Sequence, residues 1–117
     1  MHEIVSEEGK VIHVRVSGKL TQEDYDKLIP AWQRVIARER ALRLLLVMED
    51  FHGWDLSAAW DDLHFEMTHR DAVERVAMVG EKAWQKWVAK IGAIFAPEAV
   101  KYFETSDLTA AERWIRA

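Results

Sequence analysis

Carboxylates and imidazoles concentrate in residues 49–70 of this 117-residue chain. The acidic members include Glu49, Asp50, Asp55, Asp61 and Asp62, and the histidines among them are His52, His64 and His69. Both side-chain types are suitable metal ligands, but the spacing argues against a metal site. His64 and His69 are five residues apart, so they do not share a helical face as an i, i+4 pair does. Helix capping and solvated acids explain these residues without a metal, and we predict no metal and no cofactor.

Aromatic residues in the same segment favour a ligand pocket. Phe51, Trp54 and Trp60 follow a predicted strand that ends near Asp50. Open α/β sheets place ligand crevices at the carboxyl ends of their strands. An aromatic wall at that edge would accept a small apolar or amphipathic ligand.

A second aromatic segment, residues 82–97, has the periodicity of a basic amphipathic helix. Its apolar face holds Trp84, Trp87, Val88, Ile91, Ile94 and Phe95, and its opposite face holds Lys82, Lys86 and Lys90. Lysines backed by tryptophans are typical of a helix that lies on an anionic membrane surface. A helix packed on a sheet needs the same apolar face, so membrane contact and core packing both remain open.

Catalytic patterns are weak in this sequence. Ser57 and a histidine could be drawn as nucleophile and base, but no Gly-x-Ser-x-Gly motif surrounds it. The five glycines are scattered and form no phosphate-binding loop, and the absence of cysteine excludes thiol nucleophiles. Gly80 precedes a predicted helix whose amides would attract an anion, although turn geometry is the simpler reason for that glycine. We predict that the protein is not an enzyme.

The elements that must position these residues begin with two strands and a helix. Ile12, Val14 and Val16 alternate with polar residues and predict a strand over residues 10–17, joined by a tight hairpin to a short strand at residues 4–5. A helix follows from Thr21, with Thr21 and Asp24 spaced as a capping box. Pro30 within it predicts a kink or two short helices.

The remaining chain alternates strands and helices. The apolar run 42–48 predicts a central strand covered on both faces, by a dimer interface or by a helix that folds under the sheet. A loop at 49–55, a helix capped by Asp55, a strand at 73–80, a helix over 82–95, a strand at 99–103 and a helix from Ser106 follow. The order β-β-α-β-α-β-α-β-α predicts an α/β fold, a single domain over residues 1–117. Its sheet is mixed, mostly parallel and five-stranded, with four or five helices.

Composition excludes several classes of protein. Half of the residues are apolar, and no apolar run approaches the roughly 20 residues needed to span a bilayer. With 16 basic and 20 acidic residues, the chain has no overall electrostatic reason to bind nucleic acid. Its amino terminus lacks the pattern of a secretory signal, so we expect a cytoplasmic protein, peripheral to the inner membrane if the tryptophan-rich helix binds lipid.

Four stretches carry a resemblance to a known family. They are Val16 to Tyr25, Leu28 to Pro30, Leu44 to Asp55 and Val79 to Trp84, in this order along the chain. In these residues the protein resembles the bacterial SpoIIAA-like family. The resemblance implies a STAS-type α/β fold, remotely similar to the CRAL-TRIO lipid-transfer fold, with a role in ligand binding or membrane association.

The resemblance also offers a regulatory alternative. STAS-type regulators carry a phosphorylated serine in the sequence Asp-Ser-Ser-Gly at a helix start. The corresponding stretch here is Asp55-Leu56-Ser57-Ala58, in which Ser57 matches the second serine. Ser57 is then a candidate phosphorylation or docking point of a protein-interaction switch.

We predict a non-catalytic binding module. Its pocket, between the tryptophan-rich helix and residues 51–60, would take a small apolar or lipid-like ligand. The regulatory switch at Ser57 is the alternative.

Overall fold

Five strands form one sheet in the order in which they follow along the chain. The computed structural model describes residues 2–54, 72–81 and 99–117. The strands are β1 (His2–Glu8), β2 (Val11–Leu20), β3 (Leu42–Trp54), β4 (Val73–Gly80) and β5 (Val100–Glu104). β1 is antiparallel to β2, and all later neighbours are parallel, which confirms the mixed, mostly parallel sheet.

Two α-helices accompany the sheet in the part of the chain that the structure describes. They are α1 (Gln22–Glu39) and α2 (Leu108–Arg116), and a short 3-10 helix at Thr105–Asp107 precedes α2. The sequence predicts four or five helices, and two of these fall on residues 55–71 and 82–98, outside the described residues.

The β1–β2 connection is the predicted tight hairpin. Glu8 pairs with Val11, which leaves Gly9 and Lys10 as a two-residue turn. Gly9 has a φ of 57°, a value that glycine adopts without a steric penalty. The pairing slips once between Ile4 and Ser6, so Val5 forms a bulge in β1.

The first face of the sheet packs against α1. Its core comprises Ile12, Val14, Val16, Leu44, Leu46, Met48, Val76 and Met78 from the strands and Leu28, Trp32 and Val35 from the helix. These residues occur at every second position along β2 and at every third or fourth position along α1. The strand pattern and the helix pattern therefore each identify one side of the same core. Each fully buried aliphatic side chain of this kind stabilises the fold by about 1.5–3 kcal/mol.

The second face of the sheet packs against α2. Leu45, Val47, Ala77, Val79 and Phe103 from the strands meet Ala111 and Ile115 from the helix. Successive residues of β3 point to opposite faces, which explains its continuous apolar run. The sequence allows either a dimer interface or a helix to cover the second face of β3. The structure shows a helix, α2, on that face.

α1 runs without interruption through Pro30, so the predicted alternative of two short helices is wrong. Pro30 is exposed, on the side of the helix away from the sheet. Proline lacks an N–H, which leaves the carbonyl four residues earlier without its helical donor, and on an exposed helix face water can supply that donor. The helix ends at Arg40, whose φ of 65° lies in the left-handed region and whose N–H donates to the Ile36 carbonyl (2.8 Å).

The two tryptophans outside the predicted pocket take different places. Trp32 is 5% exposed in the α1 core, and its indole N–H has no hydrogen-bond partner within the described residues. Trp114 is half-buried on α2, with its ring 5.8 Å from that of Phe103 and the Arg75 guanidinium 5.0 Å from its centroid. Both therefore belong to the core or its margin.

Candidate functional site

The parallel strands β2 to β5 all end at the same edge of the sheet. Their last residues are Leu20, Trp54, Gly80 and Glu104. Ligand crevices of open α/β sheets lie outside the carboxyl ends of the strands. The candidate site therefore lies along this carboxyl edge.

A cleft opens between the ends of β4 and β5. It is lined by Gly80, Glu81, Glu104, Thr105 and Ser106 and has a volume of about 420 Å³. Gly80 and Glu104 are register partners, so the cleft begins where the pairing of the two strands stops. Pockets for small molecules have volumes of roughly 300–1,000 Å³, and this cleft falls within that range.

Tyr102 links the two strands whose ends border the cleft. Its hydroxyl donates a hydrogen bond to the carbonyl of Gly80 (2.7 Å), which ties β5 to the last residue of β4. Burial raises the pKa of Tyr102, and the nearby carboxylates of Glu104 and Glu81 raise it further. Burial and the two carboxylates thus both disfavour ionisation of the phenol.

The end of β3 differs from the prediction. Residues 49–55 were expected to form a loop, but β3 continues to Trp54 because its parallel pairing with β2 persists beyond Met48. Ser17 pairs with Glu49 and Gly18 with Phe51, which leaves Asp50 as an unpaired bulge residue.

Backbone strain marks this bulge. Asp50 has a φ of 45° and Gly18, opposite it, a φ of 58°. Glycine tolerates such values freely and aspartate better than most other residues. A bulge bends the strand and redirects the side chains that follow, and bulges are common beside functional sites.

Sequence reasoning missed one polar cluster at this edge. Nδ1 of His2 lies 2.7 Å from Oδ1 of Asp24, and both side chains are 13% exposed. The Thr21 N–H and hydroxyl donate to Oδ2 of Asp24 at 2.9 and 3.1 Å, which confirms the predicted pairing of Thr21 with Asp24. His2 comes near Asp24 only through the β1–β2 register, a non-local relation that no local pattern signals.

The electrostatics of Asp24 follow from these contacts. Burial alone would raise the pKa of Asp24, but the hydrogen bonds from His2 and Thr21 outweigh burial and hold the pKa well below its usual range. The carboxylate is engaged by three donors at the amino end of α1, where a negative charge is favourable. Its role is to cap α1 and to fasten β1 to it.

The structure places two of the predicted site residues at the carboxyl edge. Phe51 and Trp54 are among the last residues of β3 that pair with β2. Their side chains fall outside the described residues. The other predicted site residues, Ser57, Trp60, Lys82, Trp84, Lys86, Trp87, Lys90, Ile91 and Phe95, also fall outside the described residues.

Two features are absent from the described residues. No group of three or more histidine, aspartate or glutamate side chains within residues 2–54, 72–81 and 99–117 is arranged to hold a metal ion. Among the helices of those ranges, none is long and apolar enough to cross a membrane.

The fold and the edge site define a SpoIIAA-like α/β module. The SpoIIAA-like family profile matches residues 11–116, and the chain belongs to this family, as its motifs predict. It is similar to an uncharacterized protein with a SpoIIAA-like fold from Shewanella loihica PV-4. That likeness has 28% identity and a TM-score of 0.73 and covers 97% of this chain and 93% of the other. No curated protein matches the chain.

This membership bears on the class of function. The SpoIIAA-like fold is typical of non-catalytic binding or regulatory modules.

Proposed function

We propose that the protein is a non-catalytic binding module that takes a small apolar or lipid-like ligand in the cleft between β4 and β5. The observation that carries the proposal is the cleft itself. Its volume of about 420 Å³ is of the size that accommodates a small molecule. Its place at the carboxyl ends of parallel strands is the usual position of a ligand crevice.

The sequence around the cleft supports an apolar ligand. Glu81, a lining residue, is followed directly in the chain by the tryptophan-rich segment 82–97. β3, the neighbour of β4, ends with Phe51 and Trp54 at the same edge. Aromatic side chains supply large contact areas for apolar ligands, so both segments would be suitable walls if they border the cleft.

The lysines of segment 82–97 support a second part of this proposal, association with a membrane surface. Lys82, Lys86 and Lys90 would attract anionic headgroups, and Trp84 and Trp87 suit the interfacial zone of a bilayer. The protein would then associate peripherally with an anionic membrane and exchange an apolar ligand with it.

A cleft-blocking substitution tests the ligand site. We expect the neutral apolar probe N-phenyl-1-naphthylamine to bind the native chain, with an increase in its fluorescence. Thr105→Trp places a bulky side chain in the cleft lining and should weaken binding about tenfold, equivalent to about 1.4 kcal/mol.

Thr109→Trp is the matched control. Thr109 is exposed on α2 and does not line the cleft, so this variant should bind the probe as the native chain does. Equal binding by both tryptophan variants, or no binding by the native chain, would overturn the proposal.

A further inference from the structure

We infer that the protein self-associates by antiparallel pairing of β1 with β1 of a second copy, about a twofold axis. Among the described strands, β1 pairs with β2 alone and forms one outer edge of the sheet. The outer side of an edge strand presents unpaired N–H and C=O groups, to which a further strand can add. β5, which borders the cleft, lies at the opposite end of the strand order, so this inference is independent of the proposed ligand site.

The middle of β1 is apolar and exposed. Ile4 is 37% exposed and Val5 is 41% exposed, and they are the exposed large hydrophobic side chains of the described ranges. A twofold axis through the middle of a strand brings the same residues of two copies together. Such an arrangement is favourable for apolar side chains and unfavourable for like charges. The centre of β1 therefore suits a second copy of itself.

The glutamates of β1 do not protect this edge with free negative charge. Native edge strands avoid unwanted pairing by means of lysine, proline or other charged side chains. β1 contains neither lysine nor proline, and its three glutamates are neutralised from within the fold. The ion pairs are Glu3 with Arg15, Glu7 with Arg34 and Arg38, and Glu8 with Arg116. A second copy would therefore meet little net repulsion.

The bulge at Val5 restricts the register of the pairing. Residues directly opposite each other in β1 and β2 share a face of the sheet. By this rule His2, Ile4 and Glu7 belong to the α1 face, and Glu3, Ser6 and Glu8 to the α2 face.

One register keeps both the faces and the charges matched. When Ile4 lies opposite Val5 of the second copy, Glu3 lies opposite Ser6 and His2 opposite Glu7, and each of these two flanking pairs shares a face. No glutamate then lies opposite another. The next register that matches the faces places Glu3 opposite Glu8, a pair of like charges, and is less favourable.

Sedimentation equilibrium over a range of protein concentrations tests the inference. We expect the native chain to show a monomer–dimer equilibrium. Val5→Lys places like charges beside the axis and should raise the dissociation constant of the dimer at least about a hundredfold. Thr109→Lys adds the same charge at an exposed position on α2 and should dimerise as the native chain does. Circular dichroism of each variant checks that the fold is retained.

Disulfide trapping locates the interface. The chain contains no cysteine, so a single introduced cysteine can form a disulfide only between two copies. In the inferred register the two Ile4 α-carbons are about 6 Å apart, from the strand spacing and the rise per residue, which a disulfide can span. The two Ser6 α-carbons are too far apart for a disulfide. We expect Ile4→Cys to give a crosslinked dimer on mild oxidation and Ser6→Cys to give little.

Three results would overturn the inference. The first is a native chain that remains monomeric throughout the concentration range. The second is a dimer that persists unchanged in Val5→Lys, since its interface would then lie elsewhere. The third is crosslinking of Ser6→Cys that equals or exceeds that of Ile4→Cys.

Discussion

Asp24 shows how a single side chain links two distant segments. It accepts hydrogen bonds from His2 of β1 and from Thr21 at the start of α1. Because these donors favour the ionised form, the interaction stabilises the fold only while Asp24 is charged.

The pH dependence of this stabilisation has a definite sign. The pKa of Asp24 is lowered in the folded chain, so its contribution is fully present above the unfolded value of about 3.9 and is lost as the pH falls below it. We expect Asp24→Asn to lower the free energy of unfolding at pH 7 by about 1–2 kcal/mol, measured by urea denaturation, because hydrogen bonds to the charged acceptor are lost.

The difference between Asp24→Asn and the native chain should narrow when unfolding is repeated at about pH 3, where the native carboxylate begins to lose its advantage. Glu23→Gln, at an exposed neighbouring position, is the control and should change stability little. A constant difference from pH 7 to pH 3 would contradict the assignment.

Arg40 provides a second residue-scale prediction. Its φ of 65° is costly for residues with a Cβ atom and free for glycine. Arg40→Gly and Arg40→Ala remove the same charge, but only glycine relieves the strain. We expect the glycine variant to be about 1 kcal/mol more stable than the alanine variant in thermal or urea unfolding. An alanine variant of equal or greater stability would contradict the backbone argument.

At the scale of elements, α2 is fastened to the sheet at both its side and its carboxyl end. Ala111 and Ile115 pack against β3 and β4, while Arg75 donates to the carbonyl of Trp114 and Arg43 to that of Ile115 (3.0 Å). Carbonyls of the last helical turn lack regular α-helical donors, and the two arginines supply donors there, beside the Ala117 N–H that donates to the Trp114 carbonyl (3.3 Å).

Removal of these donors should loosen α2 selectively. We expect Arg43→Ala/Arg75→Ala to accelerate hydrogen exchange of the α2 amides, with a loss of roughly 1.5–3 kcal/mol for each charged hydrogen bond. Amides of α1 should exchange as in the native chain. Unchanged protection of α2 would show that the apolar contacts alone hold it.

The tryptophan-rich segment gives an element-scale test of membrane association. In flotation with anionic vesicles, the native chain should rise with the lipid. Trp84→Ala/Trp87→Ala should reduce the floated fraction several-fold, because indole rings anchor interfacial helices. Trp114→Ala, on α2, is the control. Equal flotation of the native chain and the double variant would contradict the membrane proposal.

At the scale of the whole molecule, much of the sheet is predictable because its patterns are local. Alternation in Ile12, Val14 and Val16 predicts β2, and the predicted bounds of β4 match the observed Val73–Gly80. The end of β3 is not predictable in this way. Gly53 and the polar residues Glu49, Asp50 and His52 are typical of a loop, and pairing with β2 keeps this segment extended.

The candidate site is less predictable than the sheet. Asp50, Phe51 and Trp54 lie at the carboxyl edge, but as part of β3 and not in the loop that the sequence predicts. The sequence does not indicate that Glu104 and Thr105 lie beside Gly80 and Glu81. Their proximity depends on the register between β4 and β5, which are far apart in the chain. The contact of His2 with Asp24 could not be predicted for the same reason, because it depends on the register between β1 and β2.

Strand order has a consequence for biogenesis. Each strand pairs with the one before it, so the sheet can grow by one strand at a time as the polypeptide leaves the ribosome, which favours folding during synthesis. α2 is translated after all five strands, and until it emerges the second face of β3 and β4 has no α2 to cover it. Nascent chains stalled before Leu108 should therefore be the ones that chaperones capture.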